Sequence, residues 1–226
     1  MIVAKYRKSE LISNYTILTI LALTCILPIM LLFFNSIKPQ EEFGINPLGF
    51  PITIRFANFV DAWFIGEYAQ IFLNSSKLVI GTLILNLTVS GLAGFSLAKL
   101  YPRGSNVFLV YLLVGVSIPA QMFILPLFLM WKELNLMNTH LGLIIIYAGL
   151  NAPFATFLIR SYMIQLPDEL FDAAKIDGAN TLQLFYRIAL PISWPVFLTT
   201  GLIVGLNVWN EFLFALTFVH DDAKKP

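Results

Sequence analysis

The sequence predicts an all-α polytopic membrane protein, and three observations favour this fold class. Apolar residues make up 58% of the 226 residues, and the mean hydropathy is +0.80. Charged residues make up only 12%, whereas soluble domains carry about 25%. Five apolar runs each approach the ~20 residues that a helix needs to cross the hydrocarbon core of a bilayer. A single transmembrane domain over residues 1–226 is therefore expected.

The predicted spans follow the hydropathy, and the polar stretches between them predict the loops. The spans are expected at residues 15–37, 78–100, 107–131, 141–163 and 192–219. The first run is longer than the apolar core of a secretory signal peptide and is followed by no small-residue cleavage pattern, which favours a span. Residues 38–76 predict an outer loop with one or two short interfacial helices, and residues 164–191 predict a second polar loop. Trp63, Trp131 and Trp194 predict anchors at the membrane–water interfaces.

The stretch from residue 166 to residue 195 is a long polar interruption between two apolar runs. Four of the 13 acidic residues lie in it, at Asp168, Glu169, Asp172 and Asp177. Asp168 predicts a helix start, because its carboxylate can accept from free N–H groups and suits the positive end of a helix. Gly178 predicts the helix end, because glycine tolerates the left-handed conformation found there. A second short helix is expected at 182–190, capped by Asn180 or Thr181 and ended by Pro191.

The first of these short helices has the features of a docking surface. Asp177 follows Ala173 by four positions and Ala174 by three, so the three residues are expected to fall close together on one face. Small side chains allow another surface to approach the backbone, while the carboxylates stay available to basic groups. The alternative is an amphipathic helix that lies on lipid. Lys175 is the one basic residue among four acids, which argues against binding to anionic lipid.

The same stretch resembles the EAA loop of the permease subunits of binding-protein-dependent ABC importers. The matching pattern is Asp172-Ala-Ala-x-x-Asp-Gly-Ala, followed by Phe185, Ile188, Leu190-Pro191 and Pro195 at fixed spacing. Asp172 stands where the family usually has glutamate. The resemblance implies a cytoplasmic coupling helix that docks into a groove of an ATPase subunit. The residues it implicates in ATPase coupling are Asp168, Glu169, Asp172, Ala173, Ala174, Asp177, Gly178 and Ala179.

Basic residues predict a cytoplasmic N-terminus. With that orientation the inner side holds Lys5, Arg7, Lys8, Lys99, Arg103, Arg160, Lys175 and Arg187. The outer side holds Lys38, Arg55, Lys77, Lys132, Lys224 and Lys225. An excess of basic residues in short loops marks the cytoplasmic side. The charge bias therefore places loop 164–191 in the cytoplasm, where the resemblance also puts it.

Several chemistries are excluded by missing motifs. The sequence has no G-x-x-x-x-G-K-[ST] and therefore no P-loop, so ATP and Mg²⁺ would be used by a separate ATPase and no cofactor is expected on this chain. Cys25 is the single cysteine, and His140 and His220 lie far apart, so no metal site is predicted. The net charge of +1 suggests no nucleic-acid partner.

Polar side chains inside the predicted spans are candidates for a solute pathway, because such groups are costly in hydrocarbon. Asn207, Asn210 and Glu211 share a helical spacing with Phe214, and amides with a carboxylate suit hydroxyl groups. Hydrogen bonding between helices is an equal alternative for Asn207. The pathway is favoured for Glu211, because an unpaired carboxylate is hard to explain by packing. Gln121 and Asn151, beside prolines, are further pathway candidates.

The segment Trp209-Asn-Glu-Phe-Leu resembles the W-N-D/E-F-L segment of sugar-importer permeases. The combined resemblance implies a permease subunit of an ATP-driven ABC importer that moves a sugar or oligosaccharide by alternating access. Its location would be the inner membrane of a bacterial or archaeal cell. The implied partners are a second homologous permease, two P-loop ATPase subunits, an external solute-binding protein and the lipid bilayer. The family usually has a sixth span, which is expected to be missing here.

Other interpretations stay open at this point. The same architecture would serve an amino acid or a polyol as solute. A membrane-embedded enzyme would need a convergent nucleophile and base inside the spans, and Glu211 is the one acid well within them. A channel or ion-coupled carrier gives the acidic loop no role.

Overall fold

The computed structural model describes residues 8–226, with side chains from Leu11 onward, and every regular element in that range is helical. The predicted all-α fold class is therefore confirmed. Lys5, Arg7 and the side chain of Lys8, on which the predicted topology partly rests, lie outside the described residues. The chain divides into two compact units, Met1–Tyr68 and Ala69–Pro226.

The helices follow one another through short breaks. The first unit contains α1 (Lys8–Ser36), α2 (Gln40–Ile45) and α3 (Ala57–Ile65). The helices that follow are α4 (Tyr68–Phe95), α5 (Ser105–Ser117), α6 (Ile124–Glu133), α7 (His140–Met163), α8 (Asp168–Ile176), α9 (Thr181–Leu184), α10 (Leu190–Ile192), α11 (Trp194–Trp209) and α12 (Leu213–Phe218). A π turn at Ser96–Leu100 extends α4, and a second π turn at Phe185–Ala189 joins α9 to α10. Two 3-10 turns lie at Ala120–Phe123 and Asp222–Lys224.

Three helical stretches are long and apolar enough to cross a membrane, and the number rises to five if two bent helix pairs each form one span. The straight candidates are Leu11–Ser36, Tyr68–Leu100 and His140–Met163. The bent pairs are Ser105–Ser117 with Ala120–Glu133, at 97°, and Thr181–Ile192 with Trp194–Trp209, at 79°.

The second helix begins much earlier than predicted. It starts at Tyr68 rather than at residue 78, so the predicted outer loop ends before residue 68. Polar residues lower the hydropathy of this first part, yet they are hydrogen-bonded within the fold. Gln70 and Asn74 both donate to the carbonyl of Ala223, and Asn74 also donates to that of Lys225. These bonds to the chain's end explain how a polar stretch continues the helix.

The predicted third and fifth spans are interrupted by breaks. Pro119 pushes Ile118 into the extended region (φ −85°, ψ 126°), because the residue before a proline avoids the helical conformation. The predicted fifth span, 192–219, is not one continuous helix, since α11 ends at Trp209 and α12 starts at Leu213. The predicted helix end at Pro191 is wrong. Pro191 lies in the first turn of α10, where a proline costs little, and the bend follows at Ser193.

Two apolar clusters form the core of the second unit. One joins α7 and α11 to α6 and α12 and includes Leu143, Val204 and Phe218. The other joins the ends of α4 and α7 to α8 and includes Ile159 and Phe171. Polar groups cross between α4 and α7, where Asn86 Nδ2 donates to the carbonyl of Ala148 (2.9 Å) and Ser90 Oγ to that of Ala152 (3.4 Å). These bonds give Asn86 a packing role.

Trp131 belongs to the first cluster and is only 5% exposed, so its predicted role as an interfacial anchor is wrong. Trp63 and Trp194 are about half exposed. Trp131 fits because Gly142 lies beside it. A Cβ built on Gly142 would lie 2.8 Å from Trp131 Nε1 and would also press on the carbonyl of Leu136.

Replacing Gly142 with alanine is therefore expected to destabilise the fold by about 1–3 kcal/mol, the usual cost of overpacking. Gly149 in the same helix is the matched control, because its Cβ would have nothing within 4 Å. Gly149→Ala is expected to be neutral or to stabilise by up to about 1 kcal/mol, since alanine favours helix over glycine. Thermal unfolding of the two variants in detergent measures the difference, and equal midpoints would contradict this account of Trp131.

The segment between α1 and α3 folds around two charged side chains. Lys38 is only 2% exposed, and its Nζ donates to Asn35 Oδ1 (2.9 Å) and to the carbonyls of Asn46 (2.7 Å) and Gly49 (2.8 Å). The Glu42 carboxylate accepts from the backbone N–H groups of Ile52 (2.6 Å) and Thr53 (3.0 Å). These two N–H groups hold the pKa of Glu42 below its ordinary value, and that of Ile52 has the larger effect.

This segment is expected to loosen in acid. Because the folded-state pKa of Glu42 is lowered, its contribution to stability is complete above the ordinary value of 4.5 and is lost as the pH falls through the lowered pKa. The Ile52 and Thr53 amides should therefore lose protection against hydrogen exchange as the pH falls through the lowered pKa, after correction for the intrinsic effect of pH. Glu42→Gln should show the loss already at neutral pH, while Glu41→Gln serves as the control. Unchanged protection in Glu42→Gln would refute the assignment.

Candidate functional site

The helix α8 forms where the sequence predicts it. Pro167 precedes its first turn, and Gly178 follows its end in the left-handed conformation, at φ +83°. Asn180 then caps α9, because its Oδ1 accepts from the N–H of Gln183 (2.9 Å) while Gln183 Oε1 accepts from the N–H of Asn180 (2.8 Å). This reciprocal pair is a capping box, which fixes the start of the next helix.

A single aromatic side chain anchors α8. Phe171 is 3% exposed and packs against Phe95 in α4, at 6.0 Å between ring centroids. Phe95 in turn contacts Phe185, at 5.5 Å. Ala174 and Ala179 pack partly buried against the same cluster. The helix is thus held on its apolar side, and its opposite side is left to solvent or to another protein.

The predicted coupling residues divide between these two sides. The exposed ones are Asp168, Glu169, Asp172, Ala173, Asp177 and Gly178. The expectation that Ala173, Ala174 and Asp177 form one free face is therefore wrong for Ala174, which faces the core because it follows Phe171 by three positions. Asp172 pairs with Lys175 on the exposed side (2.9 Å).

Asp168 does not cap the helix as predicted. The cap position belongs to Pro167, which has no capping side chain, and the Asp168 carboxylate instead pairs with Lys99 at 2.6 Å. Two apolar side chains that sequence reasoning missed also lie on the exposed surface of this loop, with Ile176 87% and Leu182 60% exposed. The available signal was Ile176, an apolar residue directly before Asp177 and Gly178. The free surface is therefore acidic with apolar contacts beside it.

Within the helical bundle, Glu211 is fully engaged rather than unpaired. Its carboxylate accepts from Tyr147 Oη (2.7 Å), from the N–H of Phe214 (2.9 Å) and from the N–H of Ala215 (3.2 Å). The expected shared helical face of Asn207, Asn210, Glu211 and Phe214 is wrong, because α11 ends before Glu211. Glu211 instead supplies acceptors to the free N–H groups at the start of α12, which nothing else in hydrocarbon would satisfy.

Three of the five pathway candidates come together around Tyr147. Asn207 Nδ2 donates to Asn151 Oδ1 (3.2 Å), and Asn151 Nδ2 donates to the carbonyl of Tyr147 (2.9 Å). With Glu211, they link α7 to α11 and to the break that follows it. Tyr147 was not among the predicted residues, since an aromatic residue in an apolar run gives no sign of its hydroxyl's partner.

The other two pathway candidates lie elsewhere. Asn210 donates to the carbonyl of Leu206 in its own helix (2.8 Å), and its side chain is exposed. Gln121 lies exposed in the 3-10 turn after Pro119. Among residues 8–226, no group of three or more His, Cys, Asp or Glu side chains is arranged to hold a metal ion.

Comparison with known proteins decides the family. Residues 90–222, more than half of the chain, match the model of the binding-protein-dependent transport system inner membrane component. The chain belongs to this family. The match includes α8 and the Tyr147–Glu211 contact, so both lie inside the family's shared region.

Relatives and one solved structure agree with the assignment. A probable ABC transporter permease of Bacillus subtilis is 32% identical, over 86% of this chain and 65% of the relative. The arabinooligosaccharides transport permease of Halalkalibacterium halodurans is 33% identical, over 89% of this chain and 73% of the relative. A chain of a bacterial ABC transporter involved in alginate import superposes with a TM-score of 0.87 at 25% identity, covering 98% of this chain and 79% of the other. The chain thus spans roughly two thirds to three quarters of these relatives.

Truncating Glu211 is expected to unfold the break between α11 and α12. Glu211→Ala leaves two backbone N–H groups and one hydroxyl without their acceptor, at a cost on the order of 2 kcal/mol or more. Asn210→Ala is the control at the same break, because its amide bonds only its own helix. Thermal unfolding and amide exchange at Phe214 and Ala215 would report the difference. Equal stability of the two variants would show that Glu211 does not hold this break.

Proposed function

We propose that this chain is the membrane-spanning permease subunit of an ATP-driven importer, and that its solute is a neutral sugar or oligosaccharide. The observation that carries the proposal is α8, an acidic helix fixed on one side by Phe171 and free on the other, in a member of this transport family. A free acidic face flanked by Ile176 and Leu182 suits a protein partner with basic and apolar groups. The partner would be an ATPase subunit that binds ATP and Mg²⁺, because this sequence has no P-loop.

The importer would work by alternating access. An external solute-binding protein would deliver the solute, and ATP binding would close two ATPase subunits and move α8. The helices would then reorient against a second homologous permease and open the pathway to the cytoplasm. This proposal keeps the N-terminus and α8 in the cytoplasm, as the basic residues predict.

Sugar as the solute is supported by the polar network and by two similar proteins. Asn151 and Asn207 present amide groups, which suit hydroxyls, and the relative from H. halodurans is a permease for arabinooligosaccharides. The solved structure concerns alginate, an acidic polysaccharide. The Glu211 carboxylate near the network disfavours an anionic solute, because like charges repel in a medium of low dielectric constant.

Purification with its native neighbours tests the proposal. A tag on this chain should co-purify a P-loop ATPase and a second permease. In liposomes with the binding protein, a neutral oligosaccharide should stimulate ATP hydrolysis, while an alginate oligosaccharide, a polyol and an amino acid should stimulate it less. Solute uptake without any ATPase would favour a channel, and stimulation by an amino acid alone would reject sugar as the solute.

Gly178 gives a sharper test of the docking role of α8. Its Cβ would meet nothing within 4 Å, so only its positive φ resists substitution. Gly178→Val should strain the backbone by about 1–2 kcal/mol and tilt α8 away from its groove, while Gly178→Asn should be milder. Gly104, with φ +87° and open space around it, is the matched control outside this loop.

We expect Gly178→Val to lose uptake, either through lower ATPase co-purification or through ATP hydrolysis without transport. Gly104→Val should keep both. Normal assembly and normal uptake in Gly178→Val would rule out docking through this loop.

A further inference from the structure

A buried lysine joins the end of α4 to the start of α8. Lys99 lies in the π turn Ser96–Leu100, and its side chain is only 4% exposed. Its Nζ lies 2.6 Å from Asp168 Oδ1, donates to the carbonyl of Leu166 (2.6 Å), and lies 5.2 Å from the centre of the Phe171 ring. All three groups belong to the first turn of α8 or to the residues just before it.

This contact differs in kind from the other ion pair of α8. Lys175 and Asp172 are three residues apart in one helix, with both side chains more than half exposed. Such a pair is screened by water and joins nothing beyond its own helix. Lys99 and Asp168 are 69 positions apart, and the ammonium is desolvated. Removing the carboxylate would leave a buried charge with only neutral partners, which is costly.

The end of α4 is also fixed to α7, from which α8 emerges. Arg160 Nε donates to the carbonyl of Leu97 (3.3 Å). A Cβ on Gly94 would lie 3.1 Å from Ile159 Cγ2 and 3.2 Å from the backbone nitrogen of Arg160, so the two helices approach closely there. Asn86 and Ser90 of α4 donate to the carbonyls of Ala148 and Ala152 in α7, which lie on either side of Asn151 in the sequence. A displacement of α4 therefore acts on the helix that carries Asn151.

We propose that Lys99 is a positioning residue that clamps α8 to α4. Movement of α8 by the ATPase would then reach α4 directly, rather than only through the covalent link to α7. On this assignment Asp168 serves the internal clamp, while Glu169, Asp172 and Asp177 stay available for the partner. The inference rests on the proposed function, since a clamp of this kind matters only if α8 is driven by an ATPase.

The test measures solute imported per ATP hydrolysed, in the assembled complex reconstituted in liposomes. Lys99→Gln and Asp168→Asn should each lower this ratio roughly fivefold or more, the lower end of typical coupling between sites. The double variant should fall no further than the single ones, because both remove the same contact. Asp168→Glu keeps the charge and should recover most of the ratio. Lys225→Gln removes a half-exposed lysine paired with Asp222 and is the control.

The outcomes separate this inference from a structural role and from the proposed function. A merely structural Lys99 would lower the yield or melting temperature of the complex and leave the ratio of the assembled complex unchanged, which would overturn the clamp. If Lys99→Gln does not fold, Asp168→Asn decides, because the exposed asparagine removes the charge but still offers the Lys99 ammonium an amide oxygen, beside the carbonyl of Leu166. A wild-type chain that neither binds an ATPase nor imports solute would reject the proposed function itself, and the clamp with it.

Discussion

Backbone hydrogen bonding in a medium without water is the constraint on which this structure depends. Each helix break exposes N–H and C=O groups that hydrocarbon cannot satisfy. The break after Trp209 is possible because Glu211 accepts from two N–H groups at the start of α12 and from Tyr147. A charged side chain, costly by itself in a membrane, thus becomes the group that permits irregular backbone. The same residue joins the start of α12 to Tyr147 of α7, 64 positions away in the sequence.

The two ends of α7 pack against different parts of the protein. At its start Trp131 and Gly142 pack tightly in the first core cluster. At its end Ile159 and Arg160 meet the end of α4, next to Lys99 and α8. Between them lie Tyr147 and Asn151, which carry the polar contacts to the break after α11. One helix therefore connects α8, the proposed ATPase-docking helix, to the proposed solute contacts, and its tight packing at both ends suits the transmission of small movements.

Most local signals around α8 were read correctly, although Asp168 does not cap the helix and Pro191 does not end the next one. Long-range pairing was not visible in the sequence. The bounds of α8, the left-handed Gly178 and the Asn180 cap each depend on a few neighbouring residues, so they could be predicted. The early start of α4 depends on bonds from Asn74 to residues about 150 positions away. Glu211 was taken for an unpaired group, because neither Tyr147 nor the helix break can be inferred from spacing. A prediction of a shared face from residue spacing assumes a continuous helix, and such a prediction fails wherever the helix breaks.

The buried ammonium of Lys38 should make the segment after α1 insensitive to ionic strength. Its three acceptors are neutral oxygens, from Asn35, Asn46 and Gly49, so its direct hydrogen bonds involve no ion pair that salt could screen. The three hydrogen bonds of Lys38 should therefore persist from low to high ionic strength, whereas the Glu42 contacts weaken in acid. On the outer side that the sequence predicts for this segment, a fold tied by neutral oxygens would keep one geometry where the ionic strength varies.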